Sequence, residues 1–264
     1  MLNLALDTAT GAGRFALADG QQVLAYRPVN IQGSYADALL PVVQQMLAAA
    51  GRDRTELTGV GVTSGPGSFT GVRIGVATAK GLAWALGCEL VAVSTLAAMA
   101  AALLAEADPA VTTAVPALDA RRGEIFAAVY RRRGRWVEAV LPPAAAAPDR
   151  WWARLVAGLD DPGAPVYGGD GTPLLLGQGD GLRPELAARG TPAARDWSAG
   201  HPATAPALAL AMGDAAADLP RVHPFTLVPT YLRVSDAEAK RHVDLTPTAP
   251  APDVQRHRSG RQDP

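Results

Sequence analysis

The chain has 264 residues, enough for one sizeable domain or two compact lobes. Its formal net charge of −1 excludes a global field that would draw in nucleic acid or a membrane surface. Apolar residues make up 48% and aromatics only 5%, which suits alanine-rich helices packed on sheets, and the single cysteine, Cys88, excludes an intramolecular disulfide or a cysteine-based metal cluster.

The opening "MLNLALDTAT" runs straight into a strand pattern over Leu2 to Leu6 that ends at Asp7, with no basic segment or cleavage site of a signal peptide. Arg14 to Ala18 and Gln22 to Arg27 follow as strands joined by the hairpin signal Asp19-Gly20, so the chain begins with three antiparallel strands. Ser34 to Ala50 reads as an amphipathic helix. Leu39, Leu40, Val43, Met46 and Leu47 recur on one face, Gly51 supplies the stop, and Pro41 predicts a kink. Val60 to Thr63 is a short strand, Phe69 to Leu86 a second helix, and Leu90 to Val93 another strand. Ser94 or Thr95 then caps a helix to about Glu106. Cys88, in "GLAWALGCEL", reads as a small buried hydrophobe. The uncharged run Leu90 to Ala105 falls short of the ~20 residues of a bilayer span, so a soluble cytoplasmic protein is expected.

The pattern then restarts. "ALDTATGAGRFAL" at Ala5 to Leu17 is echoed by "ALDARRGEIFAAV" at Ala117 to Val129, each with Ala-Leu-Asp at a strand end and a Phe opening the next strand. A duplicated lobe follows from that echo. We therefore expect a first lobe over residues 1–107, a second, divergent lobe over 108–243, and a disordered tail over 244–264, where "TPTAPAPDVQRHRSGRQDP" is almost free of apolar residues. Within the second half, Pro142 to Pro148 reads as a linker, Val166 to Gly171 as a strand and tight turn, Pro206 to Asp218 as a helix, and Val228 to Arg233 as an extended segment.

The run "TSGPGSFTGVRIG" from Thr63 to Gly75 raises the main chemical question. No lysine completes a Walker loop, and Gly65, Gly67 and Gly71 are spaced G-x-G-x-x-x-G, which fails the dinucleotide fingerprint. An anion site remains open, built from free N–H groups at Ser68 to Gly71 and Arg73. The competing reading is a row of small residues, Gly71, Gly75, Ala79, Ala83 and Gly87, that lets another element approach closely, inside the fold or against a partner. Asp7 and Asp119 likewise have two readings. They grip phosphate or its Mg²⁺ in a two-lobed phosphotransferase cleft, or each caps its own strand-end turn. His201, His223, His242 and His257 lack metal-ligand spacing. Arg131, Arg132, Arg133 and Arg135, beside Tyr130 and Trp136, form a basic hairpin tip, read either as an RNA contact or as a solvated turn.

Taken together, "LALDTAT", "GPGSFTGVRIG", "VSTL", "ALDARRGEIFAAVY" and "VPTYLR" resemble the TsaB (YeaZ-like) family, dimerisation subunits of the bacterial tRNA threonylcarbamoyladenosine machinery. The resemblance is dense over Leu2 to Tyr130. It implies an α/β fold of two related lobes of actin/Hsp70/sugar-kinase (ribonuclease H-like) type, with mixed sheets flanked by helices. It also implies a non-catalytic scaffold that pairs with a TsaD-like transferase and a TsaE-like ATPase, meets tRNA through that complex, forms a homodimer when isolated, and does not bind membrane. The partner interface implied is the helix face Leu39, Leu40, Val43, Met46 and Leu47 with Gly71, Gly75 and Ala79. Asp7, Thr8, Ser68, Arg73 and Asp119 are the candidate nucleotide or anion contacts. No cofactor or metal of its own is implied, with ATP or ADP and Mg²⁺ placed at the partner junction. Many members carry a histidine just before the first helix, where this chain has Ser34 and Tyr35. The competing functions are a stand-alone ATP-dependent phosphotransferase and, more remotely, a metallopeptidase acting on glycoproteins.

Overall fold

Alternation of large and small residues decides how the first sheet is covered. The computed structural model describes residues 1–10, 13–29, 35–158, 165–177, 193–195, 204–214 and 217–233. In it β1 (Leu2–Asp7) turns Leu2, Leu4 and Leu6 to one face and Ala5 to the other. β2 (Gly13–Asp19) and β3 (Gln22–Val29) continue antiparallel, as the Asp19-Gly20 turn requires. Further on, α1 (Tyr35–Ala49), β4 (Leu57–Thr63), α2 (Phe69–Leu86) and β5 (Glu89–Val93) add two parallel strands beside β1, giving the order β3-β2-β1-β4-β5. α1 runs continuously through Pro41, which is exposed. Both α1 and α2 lie on the leucine face of β1, and their apolar residues join Leu2, Leu4 and Leu6 in one buried cluster.

α3 (Thr95–Glu106) leaves the first sheet and is buried along almost its whole length, from Thr95 to Leu104. The reason is topological: it packs against the second sheet, not the first. That sheet repeats the plan of the first. β6 (Thr113–Arg121), β7 (Glu124–Arg133) and β8 (Trp136–Ala146) form an antiparallel meander, and β9 (Val166–Gly168) and β10 (Ala193–Arg195) pair parallel on the other side of β6. The order β8-β7-β6-β9-β10 matches β3-β2-β1-β4-β5 strand for strand. α4 (Pro148–Gly158) and α5 (Thr172–Leu176) cover its outer face through Trp151, Trp152, Leu155, Leu175 and Leu176.

The last helix, α6 (Thr204–Met212), returns to pack on the inner face of the first sheet and against α3. Gly59 and Gly61 on β4 make that approach possible, since a Cβ on either would lie under 3.0 Å from Met212. The layers therefore run α1/α2, first sheet, α6/α3, second sheet, α4/α5, with α3 and α6 each packed on the sheet of the other lobe. This is the duplicated α/β architecture expected from the sequence, and Met1–Arg233 form one compact unit.

Three local expectations change. The Pro142–Pro148 linker is instead the end of β8 followed by α4. Pro142 and Pro143 fall on an edge strand at a register shift, where no ladder N–H is demanded of them, and Pro148 opens α4, where its missing N–H costs nothing. The helix predicted over Pro206 to Asp218 runs instead from Thr204 to Met212, and Gly213, just past its end, is pressed against the backbone of Gly20. Cys88 lies just beyond the left-handed Gly87 cap of α2, half-buried, and its thiol pKa is raised by desolvation. The expected tail, Ser34, and the histidines 201, 242 and 257 lie outside the described residues. No helix among the described residues is long and apolar enough to cross a membrane.

Candidate functional site

The end of β1 and the start of α2 are built around each other. Asp7 is 1% exposed, and its Oδ1 accepts from the Ala9 N–H at 3.1 Å and from the Thr63 hydroxyl at 2.8 Å, while Oδ2 is buried without a hydrogen-bond partner. Thr8 donates through Oγ1 to the Gly71 carbonyl at 2.7 Å. A Cβ on Gly71 would lie under 3.0 Å from the Thr8 carbonyl oxygen, and one on Gly75 equally close to the Thr8 hydroxyl. Gly67 (φ 155°) is pressed in the same way against Ala9. The small-residue row thus serves close packing inside the fold, against the strand that carries Asp7 and Thr8.

That packing engages several of the groups an anion would use. Ser68 caps α2 by accepting the Gly71 N–H on its hydroxyl, and the Ser68 N–H donates to the Ala9 carbonyl at 2.6 Å. Of the N–H groups expected to be free from Ser68 to Gly71, those of Ser68 and Gly71 are therefore engaged. Arg73 turns away: its guanidinium lies 3.7 Å over the Phe69 ring, and its Nε donates to the Tyr231 hydroxyl at 2.7 Å.

Asp119 has the same local role as Asp7 but a different setting. Its Oδ1 accepts the Arg121 N–H two residues on, as Asp7 accepts that of Ala9, so both aspartates cap strand-end turns. They do not face one another across the fold in equivalent positions. Asp7 shares the inner face of its sheet with Ala5 and Ala16, whereas Asp119 pairs with Ile125 on the outer face. In both hairpins the Leu before the Asp pairs with the Phe, Leu6 with Phe15 and Leu118 with Phe126, so the one-residue difference in Asp-to-Phe spacing lies in the turn. The exchange of faces belongs to the hairpin as a whole, with Leu6 and Phe15 turned outward and Leu118 and Phe126 inward. Sequence reading missed Asp170, whose Oδ1 accepts the Asp119 N–H at 2.8 Å. Desolvation, with the Asp119 charge adding to it, raises the pKa of Asp170. Gly169 and Gly171, on either side, are pressed against Ala117 and Leu118 of β6. They press on the end of β6 as Gly67, Gly71 and Gly75 press on Thr8 and Ala9 beyond β1.

An Mg²⁺–nucleotide does not fit these residues as a self-sufficient site. Asp7 alone offers an unpartnered buried oxygen, Asp119 is occupied by Arg121, and the described residues contain no group of three His, Cys, Asp or Glu arranged to hold a metal.

Burial divides the face implied for a partner. Leu39, Val43, Met46 and Leu47 are all 5% exposed or less and belong to the core under α1, as do Gly71, Gly75 and Ala79 under α2, because the apolar stripe must cover the leucines of β1. Leu40 alone of the set points outward, at 48% exposed. On α2 the outward residue is Trp84, 62% exposed, stacked 4.6 Å from Phe225 of the closing segment. The arginine tip is a tight β7–β8 hairpin: Arg132 donates to the carbonyls of Leu104 and Val111, Arg133 pairs with Glu138, and Tyr130 and Trp136 are buried.

Four similarities bear on the chain. Residues 27–165 match the family model described as "TsaD: tRNA N6-adenosine threonylcarbamoyltransferase". The "tRNA threonylcarbamoyladenosine biosynthesis protein TsaB" of Bacillus subtilis (strain 168) is 32% identical over 243 residues, covering 91% of this chain and 97% of that protein. Its namesake in Escherichia coli (strain K12) is 39% identical over 146 residues, covering 53% of this chain and 62% of its own length. Among solved structures, one titled as an uncharacterized protein with similarity to peptidase YeaZ, from Pseudomonas aeruginosa, superposes with TM-score 0.68 at 28% identity, covering 88% of this chain and 99% of that one.

Proposed function

The chain belongs to the TsaB family, and on that premise we propose that it is a non-catalytic scaffold subunit in the synthesis of threonylcarbamoyladenosine in tRNA. In this reading it pairs with a TsaD-like transferase, with a TsaE-like ATPase joining the pair, and it meets tRNA only within that assembly. The observation that carries the reading is the state of the glycine loop. The Ser68 and Gly71 N–H groups, Asp7 Oδ1, Asp119 and Arg73, which would serve a phosphotransferase cleft, are engaged in packing and turn capping within the chain, while the buried Asp7 Oδ2 keeps no hydrogen-bond partner. The family-model match adds support, since a TsaD-like partner would carry the same kind of lobe.

The partner contact is assigned to the outward side of α1 and α2, with Leu40 and Trp84 as its apolar anchors, since the inward residues are already spent on the core. The same surface would make the homodimer of the isolated chain. ATP or ADP with Mg²⁺ at the junction would then draw most of its contacts from the partner. Co-purification with the transferase tests the assignment: Leu40→Asp and Trp84→Ala are expected to lose the complex while keeping the wild-type melting profile. Retention of the complex in both variants would remove the assignment.

A further inference from the structure

The closing segment, residues 220–233, connects the two lobes at the mouth of the glycine loop. It begins along β5, the edge of the first sheet. Ala92 N–H donates to the Pro220 carbonyl at 3.3 Å, Val222 N–H donates to the Leu90 carbonyl at 2.9 Å, and Val91 and Arg221 form an antiparallel bridge. It then crosses α2, where Lys80 donates to the Leu227 carbonyl at 2.9 Å and Phe225 stacks on Trp84.

Next it lies on the glycine loop itself. Thr230 N–H donates to the Ser64 carbonyl at 2.6 Å, and a Cβ on Gly65 (φ 114°) would lie under 3.0 Å from the Thr230 carbonyl oxygen. Tyr231 packs on Phe69, centroids 4.8 Å apart, and takes the Arg73 Nε–H on its hydroxyl. Leu232 reaches the core shared by the two sheets. Arg233 ends in the other lobe, 3.3 Å from the Arg121 carbonyl and 3.7 Å from the Glu124 carboxylate, on the β6–β7 turn. That turn holds Arg121 (φ 66°) and Arg122 (φ 57°) in the left-handed region, a conformation that persists only where the surroundings impose it.

We propose that residues 220–233 are a latch that covers the glycine loop of the first lobe and is pinned by Arg233 to the β6–β7 turn of the second, so that the setting of the lobes and the order of the loop are coupled. One side of the latch is anchored at several points by backbone bonds and stacked rings. Arg233 joins the other side through a partly exposed ion pair and a hydrogen bond to a carbonyl, contacts that an exchange of charge can break. Arg233 lies against the lobe opposite the loop, so release there is expected to be felt at Ser64 to Ser68. The inference concerns the chain alone and stands independently of the partner reading.

Amide hydrogen exchange on the full chain tests it, using Arg233→Glu, Glu124→Arg and the double exchange of charge. Each single variant is expected to speed exchange several-fold both at 121–124 and at 64–68, with β1 to β3 as protected as in the wild type, and the double variant is expected to restore both segments. A purely local role for Arg233 predicts no change at 64–68 and overturns the proposal, as does a double variant that exchanges as fast as the singles. Tyr231→Phe keeps the ring and loses only the hydroxyl that holds Arg73, so it guards against a misfolded charge variant. It is expected to loosen 64–68 several-fold, and wild-type protection there also overturns the latch.

Discussion

At the scale of single residues, Thr8 decides what α2 is allowed to be. Gly75 is opposed by the Thr8 side chain and Gly71 by the Thr8 backbone carbonyl, so the two glycines should respond differently to the same rescue. Gly75→Ala and Gly71→Ala are each expected to cost about 1–3 kcal/mol in denaturant unfolding, as overpacking does. Adding Thr8→Ala should recover part of the Gly75→Ala loss and none of the Gly71→Ala loss, because it removes the hydroxyl and leaves the carbonyl in place. Equal rescue of both would refute the geometry. The spacing of these glycines was plain in the sequence, but their partner was not, since a period of four residues shows a face and says nothing of what meets it. A second residue-scale effect is acid-base. Asp170 has a raised pKa in the fold, so as pH rises the unfolded chain ionises first and the folded state loses relative stability, a cost still present at neutral pH. Asp170→Asn keeps an acceptor for the Asp119 N–H and should melt higher than the wild type at pH 7, with the gap closing below about pH 3. A gap that does not depend on pH would contradict that account.

At the scale of elements, the amphipathic stripe of α1 was legible in the sequence, and so were the bounds of α2, where Ser68 caps the start and Gly87 the end. What periodicity does not reveal is whether a stripe faces its own sheet or a partner, because burial rewards apolar residues equally in either place. β1 answers it: three leucines on one face need a cover, and Leu39, Val43, Met46 and Leu47 supply it. Met46→Ala should therefore behave as a core truncation, lowering stability by about 2–5 kcal/mol, whereas Leu40→Asp should leave thermal stability within about 0.5 kcal/mol of the wild type. Similar losses for the two would return α1's inner face to the list of partner surfaces. α4 was missed because Pro142, Pro143 and Pro148 read as a linker. Each of them instead occupies one of the few places in a strand or helix where a missing N–H is harmless.

At the scale of the whole molecule, the duplication announced by two Ala-Leu-Asp strings is real, and the two five-stranded sheets share one strand order. The two hairpins nonetheless exchange their faces, which is why Asp7 and Asp119 look like a matched catalytic pair in sequence and occupy opposite faces in space. The crossing of α3 and α6 onto each other's sheets left no local signal, since a helix buried on nearly all sides has no polar face to read. A two-lobed body that engages most of its candidate cleft groups internally is suited to present a surface to a catalytic partner. The most direct test of that role is threonylcarbamoyl transfer to tRNA by a TsaD-like transferase with its ATPase, assayed with and without this chain. The account predicts no transfer by the chain alone, strong stimulation when it joins the partners, and loss of that stimulation with Leu40→Asp. Transfer by the isolated chain, or full activity of the partners without it, would contradict the account.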